Sequence, residues 1–237
     1  MASQEQESVL DIAPLSLQLL AEQEVVPRAK IFARFVSELI ADSAVNVYTL
    51  ASDGEKDFWL PRATVGEAKI HEGEIPGDSG LLGMLLEQTE PINRTGEEIK
   101  REDYPHVDIR KSLLSLTYLP LIHKEELIGA LEILAFEEEI NAESVGALMP
   151  AAEVAATAIA SAQGYEEERN GTMASITRLT QLYDLEKVFS STLEMSELLP
   201  LIGAKFSEIL ECQAINIWLL LPDESVELMH QEGEDAT

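Results

Sequence analysis

Apolar residues along this chain switch between two spacings, and the switches mark its elements. From Pro14 the spacing is helical, with Leu15, Leu17, Leu19 and Leu20. A second helix is predicted over Pro27–Ala41, where Pro27 suits the first turn and Ile31, Phe32, Phe35, Val36, Leu39 and Ile40 form one wide apolar face. Ala44–Leu50 is rich in β-branched and aromatic residues, Ser52-Asp53-Gly54 reads as a hairpin turn, and Asp57–Val65 as the returning strand. A turn-rich stretch, Glu72 to Gly80, leads into a short helix through Leu81, Leu82, Met84, Leu85 and Leu86, with Asp78 or Ser79 as its cap. Glu90–Asn93 is a brief strand, and Arg94 to Lys111 a long polar connection with one helical turn. Ser112–Ile122 and Glu126–Phe136 make a second hairpin about His123-Lys124-Glu125. An Ala-rich helix follows over Asn141 to Glu168. Asn170-Gly171 is expected to break it before a third long helix from Thr172 through Phe189, apolar on more than one face, which gives way at Glu194-Met195-Ser196.

One pattern occurs twice. Ala44-Val45-Asn46-Val47-Tyr48-Thr49-Leu50 returns as Ala214-Ile215-Asn216-Ile217-Trp218-Leu219-Leu220, 170 residues on (214 minus 44), and Ser37-Glu38-Leu39-Ile40 returns as Ser207-Glu208-Ile209-Leu210. A repeat of this length is a domain. The predicted organisation is an N-terminal segment with a short helix (1–26), a complete domain (27–168), a linker helix (169–195) and the opening of a second domain (196–237). The last segment is expected to pair on itself as a hairpin and to pack against a second chain, because an unpaired apolar strand edge seeks a partner. By the same repeat, Tyr48 and Trp218 are expected to be core residues on a sheet face.

Charge and composition narrow the possible partners. The formal net charge of −28 leaves no basic stripe to replace counterions on a polyanion, so nucleic acid and acidic membrane surfaces are not expected partners. The acid excess reads most simply as solubility. No uninterrupted apolar run approaches the roughly 18–20 residues needed to cross a bilayer, and Leu15–Leu20 is too short and broken for a secretory signal, which points to the cytoplasm. The single cysteine, Cys212, excludes an intramolecular disulfide and a thiolate metal cluster. His71, His106, His123 and His230 show no zinc spacing.

The order of elements, and several local motifs, resemble the GAF domain family of small-molecule sensory modules. Gly77-Asp78-Ser79-Gly80-Leu81-Leu82-Gly83 with Thr89-Glu90-Pro91-Ile92 is similar to the family's glycine-rich turn, helix and following strand. Ser112 to Leu121 resembles its S-x-L…PL strand, Leu127 to Ile133 the next strand, and Ala155 through Glu167 the closing helix. Leu182 to Ile202 resembles the linker that opens a following GAF domain. The resemblance implies an α+β, PAS/profilin-like fold, in which a twisted antiparallel sheet carries helices on one face and a pocket under a loop on the other. It also implies a long linker helix, a partial second GAF unit of a tandem bacterial sensor, and a homodimer through the closing and linker helices.

Within that frame the candidate ligand-binding residues are Trp59, Arg94, Tyr104, His106, Asp108, Arg110 and Tyr118. Trp59 either lines the pocket or packs in the core. His106 lies in the covering loop, as a polar ligand contact, a haem ligand or neither. Arg94, Arg101, Tyr104, Asp108 and Arg110 suit a small anionic or amphipathic ligand in a largely apolar pocket. The NKxxF…DE signature of cyclic-nucleotide-binding GAF domains is not matched by Asp103 and Asp108. The cysteines of GAF-type free-methionine-sulfoxide reductases and of bilin attachment are missing. The expected role is therefore a non-catalytic sensory module signalling to a downstream output domain, with no cofactor or ligand identified. The alternative is a ligand-free dimerisation scaffold.

Overall fold

The computed structural model describes residues 10–71, 73–191, 194–210, 212 and 214–233. Most of residues 1–13, which precede the helical spacing, lies outside these. In chain order the elements are α1 (Ala13–Ala21), α2 (Val25–Leu39), β1 (Ser43–Ser52), β2 (Asp57–Val65), β3 (Ala68–Ile70), β4 (Ile75–Pro76), α3 (Gly80–Glu87), β5 (Ile92–Thr95), β6 (Val107–Ile109), β7 (Ser115–His123), β8 (Glu126–Ala135), α4 (Ala142–Ser191), α5 (Met195–Leu210), β9 (Ile215–Leu220) and β10 (Val226–Glu232). They form two compact units, residues 1–167 and 168–237.

The first unit is built on a six-stranded antiparallel sheet in the order β4-β2-β1-β8-β7-β5. Side chains on a strand alternate between faces, and the central strands are apolar on both. Val45, Val47, Leu119, Leu121, Leu131 and Ile133 join one core with Leu15, Val25, Phe32 and Val36 of α1 and α2 and Ala152, Ala155 and Ile159 of α4. Each fully buried Leu, Ile or Phe contributes about 1.5–3 kcal/mol of transfer free energy, so this face anchors the unit. The small residues of α4 let the helix backbone approach the layer closely. By length and composition alone, Ala142–Asp184 of α4 contains a window that would cross a membrane, yet Ala151, Ala155, Ala156 and Ile159 are fully buried in the protein core.

The opposite face carries a second core in which Tyr48, Leu116, Tyr118, Ala130 and Leu134 meet Trp59, Ile75, the leucines of α3 and Val107. This is the face the covering segment closes. The segment is more ordered than the single helical turn expected: it holds two 3₁₀ turns, Gly96–Glu98 and Arg101–Asp103, then β6. Strand β6 pairs antiparallel with β3. Both strands are three residues long, too short for a periodicity to register.

Three local expectations fail. Asn170-Gly171 does not break the helix, and α4 runs unbroken from Ala142 to Ser191. Glycine inside a helix costs only about 1 kcal/mol against alanine, and Gly171 does not adopt the left-handed conformation that ends helices. Ser79 does occupy the N-cap position of α3, but no side chain caps that end. In the second unit α5 packs on the β9–β10 hairpin, with Gly203 against the His230 ring. The hairpin is as expected, whereas Trp218 is not core: it is 56% exposed. A two-stranded sheet with one helix is covered on one face only, and Trp218 stands on the other.

Glycine at 129 is required by packing. A Cβ there would lie 2.3 Å from the Tyr48 carbonyl oxygen and 3.3 Å from Leu121 Cδ1. Gly129→Ala is expected to force β1 and β8 apart and lower the unfolding free energy by about 1–3 kcal/mol in urea titrations.

Candidate functional site

At the centre of the covered face sits a carboxylate with no exposure, Glu132 of β8. Strand register places its partners. Asn46 of β1 lies directly opposite Glu132 on one side, and Tyr118 of β7 directly opposite on the other. Tyr48, two residues beyond Asn46, points to the same face by the period of the strand. Asn46 Nδ2 donates to Glu132 Oε2 at 2.6 Å, and Tyr48 OH donates to the same oxygen at 2.7 Å. Tyr118 OH donates to Oε1. All three donors are fully buried.

The fourth neighbour comes from the covering segment. His106, immediately before β6, is buried, with Nε2 3.4 Å from Glu132 Oε1 and its ring edge-to-face with Tyr48 at 5.5 Å. The separation suits an ion pair, but the contact does not have hydrogen-bond geometry. Among the described residues, both His106 ring nitrogens and Asn46 Oδ1 are buried without a hydrogen-bond partner. Buried polar groups of this kind cost about 1–3 kcal/mol each when unpaired, and three such atoms lie around one carboxylate.

Burial by itself would push the Glu132 carboxyl up. The His106 ring beside it, with the Tyr118 and Asn46 hydrogen bonds, outweighs burial and holds it below its ordinary value. The tyrosines shift the other way. Burial, and then the Glu132 charge, push Tyr48 and Tyr118 well above the usual phenol range. The site is thus one buried negative charge ringed by neutral donors.

His106 is seated by the segment that carries it. Its carbonyl accepts from His71 N at 3.0 Å. Arg101 Nη1 donates to the Tyr104 and Val107 carbonyls at 2.9 and 2.6 Å, Nη2 reaches Asp108 Oδ1 at 3.1 Å, and the guanidinium lies 4.9 Å over the Tyr104 ring. At Gly80, where φ is +51°, a Cβ would come within 2.3 Å of the Asp103 carbonyl and 2.7 Å of Pro105 Cδ. Gly80 is therefore a close-approach residue that lets the segment settle on α3.

The structure gathers some of the sequence candidates and disperses the rest. Trp59, Tyr118 and His106 are buried on this face, with Trp59 Nε1 donating to the Gly77 carbonyl at 3.1 Å. Tyr104 is half-buried and packs against the same core. Asp108 and Arg110 are exposed, and Arg94 is half-buried on β5. Asp108 is engaged by Arg101 and His71 on the outer surface. Arg110 is therefore outside, Arg94 stands half-buried opposite Leu116, and the charge at the centre of the face is acidic. Sequence reasoning did not single out Glu132 or Asn46. The available signal was one acid inside the otherwise uncharged run Leu127–Phe136, since a strand burying both faces has no cheap place for a charge.

Removing the acceptor strands every donor. Glu132→Ala is expected to cost about 3–5 kcal/mol of unfolding free energy, and Tyr118→Phe, which deletes one bond of three, about 1–3 kcal/mol. The tyrosines also set an alkaline limit. Their folded-state values lie above the unfolded phenol value of about 10, so below that pH their contribution is fully present. As pH rises above it the unfolded chain releases protons the folded chain keeps, and stability falls by about 2.7 kcal/mol per pH unit for the two sites together. Tyr118→Phe should roughly halve that slope in unfolding titrations run at successive alkaline pH values.

No protein-family model and no curated protein matches the chain. Solved structures do resemble it. The GAF domain of a phosphoenolpyruvate-protein phosphotransferase from Coxiella burnetii aligns at 21% identity and a TM-score of 0.52, covering 65% of this chain and 93% of that one. A free methionine-R-sulfoxide reductase from Neisseria meningitidis, solved with its substrate, aligns at 14% identity and a TM-score of 0.51, covering 64% and 87%. A bacteriophytochrome from R. palustris aligns at 11% identity and a TM-score of 0.54, over 95% of this chain and 49% of that one. The antiparallel sheet with helices on one face and a covering segment on the other is a GAF fold.

Proposed function

We propose that this chain is a non-catalytic sensory and regulatory module that binds a small molecule beneath the covering segment. The observation that carries the reading is the Glu132 cluster with its unpaired Asn46 and His106 atoms. A group that supplied the missing hydrogen bonds would change the contacts of His106, and with it the seating of the segment on β3 and α3. Binding at one place then alters another through differential contacts, as allosteric coupling requires. The closing part of α4 packs on the other face of the same sheet, and its continuation past Glu167 is the proposed route to an output domain. Trp59, Tyr104 and Tyr118 are the contacts we assign to the ligand, and His106 is the residue whose position it changes. Arg94, Asp108 and Arg110 act at most at the rim. A cytoplasmic setting and a signalling role accompany this reading.

The enzyme reading has less support. A sulfoxide reductase is among the structural neighbours, but the sole cysteine, Cys212, lies in the second unit. No other nucleophile in the Glu132 cluster is paired with a free base.

A second reading, dimerisation, is favoured by one specific observation. Met173, Ile176, Leu179, Leu182 and Tyr183 of α4 are each more than half exposed, a density of apolar surface that on a helix marks a partner face. The proposed partner is a second copy of this chain, with the β9–β10 hairpin contributing to the same assembly.

Each reading has its own test. Native mass spectrometry of the purified protein should find a co-purifying small molecule, or a thermal-shift screen one that raises the melting temperature; neither appearing sinks the sensor reading. Sedimentation at tens of micromolar protein should give a dimer that Leu179→Asp converts to monomer. A monomeric wild type sinks the second reading.

A further inference from the structure

We propose that the ligand of the Glu132 site carries a cationic N–H donor group, a primary ammonium or an amidinium, and that His106 occupies the place of this group until it binds. The inference rests on the reading of this face as a ligand site and adds the chemical class.

The argument starts from charge. The three hydrogen bonds to Glu132 come from neutral donors, an amide and two phenols. They solvate the carboxylate without cancelling its charge. The one group positioned to do so is His106, which stands 3.4 Å away without a hydrogen bond. Three other basic side chains near this end of the fold are engaged elsewhere, and Arg94 is half-buried on β5. Arg101 is spent on Tyr104, Val107 and Asp108, Lys111 on Asp42 and Glu67, and Arg62 on Thr49 Oγ1. A ligand anion placed beside Glu132 would be repelled in this poorly screened interior, and a cation attracted to the same degree. An anionic ligand, which the loop's arginines alone suggest, is thereby disfavoured.

Hydrogen-bond inventory then narrows the cation. Glu132 Oε1 has room for a donor where His106 now stands, and Asn46 Oδ1 is a buried acceptor with no donor at all. Both are acceptors, so the entering group must bring at least two N–H bonds. Ammonium and amidinium do so, and a quaternary ammonium does not. Once His106 yields, the rest of the molecule would lie against Trp59, Leu82, Leu116 and Val107, all buried on this face. His106 is the residue free to yield, because it rides on the covering segment while the other three partners are fixed in central strands.

Three ligands of nearly equal shape separate the possibilities: benzamidinium, neutral benzamide and anionic benzoate. Titrated calorimetrically into the full chain at neutral pH, benzamidinium is expected to bind at least about tenfold more tightly than the other two, a difference of about 1.4 kcal/mol. Glu132→Gln, which keeps the shape and an acceptor but removes the charge, should abolish that preference. His106→Ala is the second variant, since it leaves the sheet partners intact. It should tighten benzamidinium by about tenfold by vacating the place the cation takes. Preference for benzoate or benzamide, or equal benzamidinium binding by Glu132→Gln, overturns the cation class while leaving a ligand site. Absence of binding by all three to wild type and to His106→Ala overturns the site itself.

Discussion

A carboxylate at the centre of a sheet, sealed from water, is the constraint around which the first unit is arranged. An isolated buried carboxylate costs far more than any single hydrogen bond returns, so Glu132 requires donors on every side. Its two neighbouring strands supply the hydrogen bonds, and register does the placing: Asn46 and Tyr118 stand directly across from it. A slip of one residue in either pairing would turn these donors toward the helices and bring Val45 or Leu119 to face the charge. The polar cluster and the hydrophobic layer behind it are therefore one specification. The apolar residues that bind the sheet to α1, α2 and α4 are the same alternation that delivers the donors to Glu132.

The two faces of the sheet differ in what they permit. The helical face is largely apolar, and its buried polar groups are paired: Arg28 donates to the Glu22 and Ala158 carbonyls, and Thr117 to Asn93. On the covered face the donors and acceptors do not balance, because Asn46 Oδ1 and both His106 nitrogens are left over. The imbalance falls where an element tied down by short pairings, β3 with β6, meets one held in the middle of the sheet.

Much of the architecture is legible in the residue pattern, because long apolar periodicities dominate it. The β1–β2 and β7–β8 hairpins, α2, and the α5–β9–β10 repeat of α2–β1–β2 all follow from spacing and turn residues. The failures have physical causes. Asn170-Gly171 is a local preference of about 1 kcal/mol, overridden by the helix on either side. Trp218 resembles Tyr48 in sequence, but burial is a property of what covers a residue. Asp108 and Arg110 share a polar segment with His106 and are exposed, yet His106 is buried, since neighbours in sequence need not face the same way.

The sequence by itself determines the order of elements, the two-fold occurrence of the helix–hairpin pattern and the acidic character of the whole chain. These depend on periodicity and composition, which are one-dimensional. The tertiary structure alone decides that Glu132, Asn46, Tyr48, Tyr118 and His106 are one site. They come from three strands and a loop, as far as 86 positions apart for Asn46 and Glu132. No local spacing relates them. What joins them is strand register and the desolvation of a single charge, and both exist only once the sheet has formed.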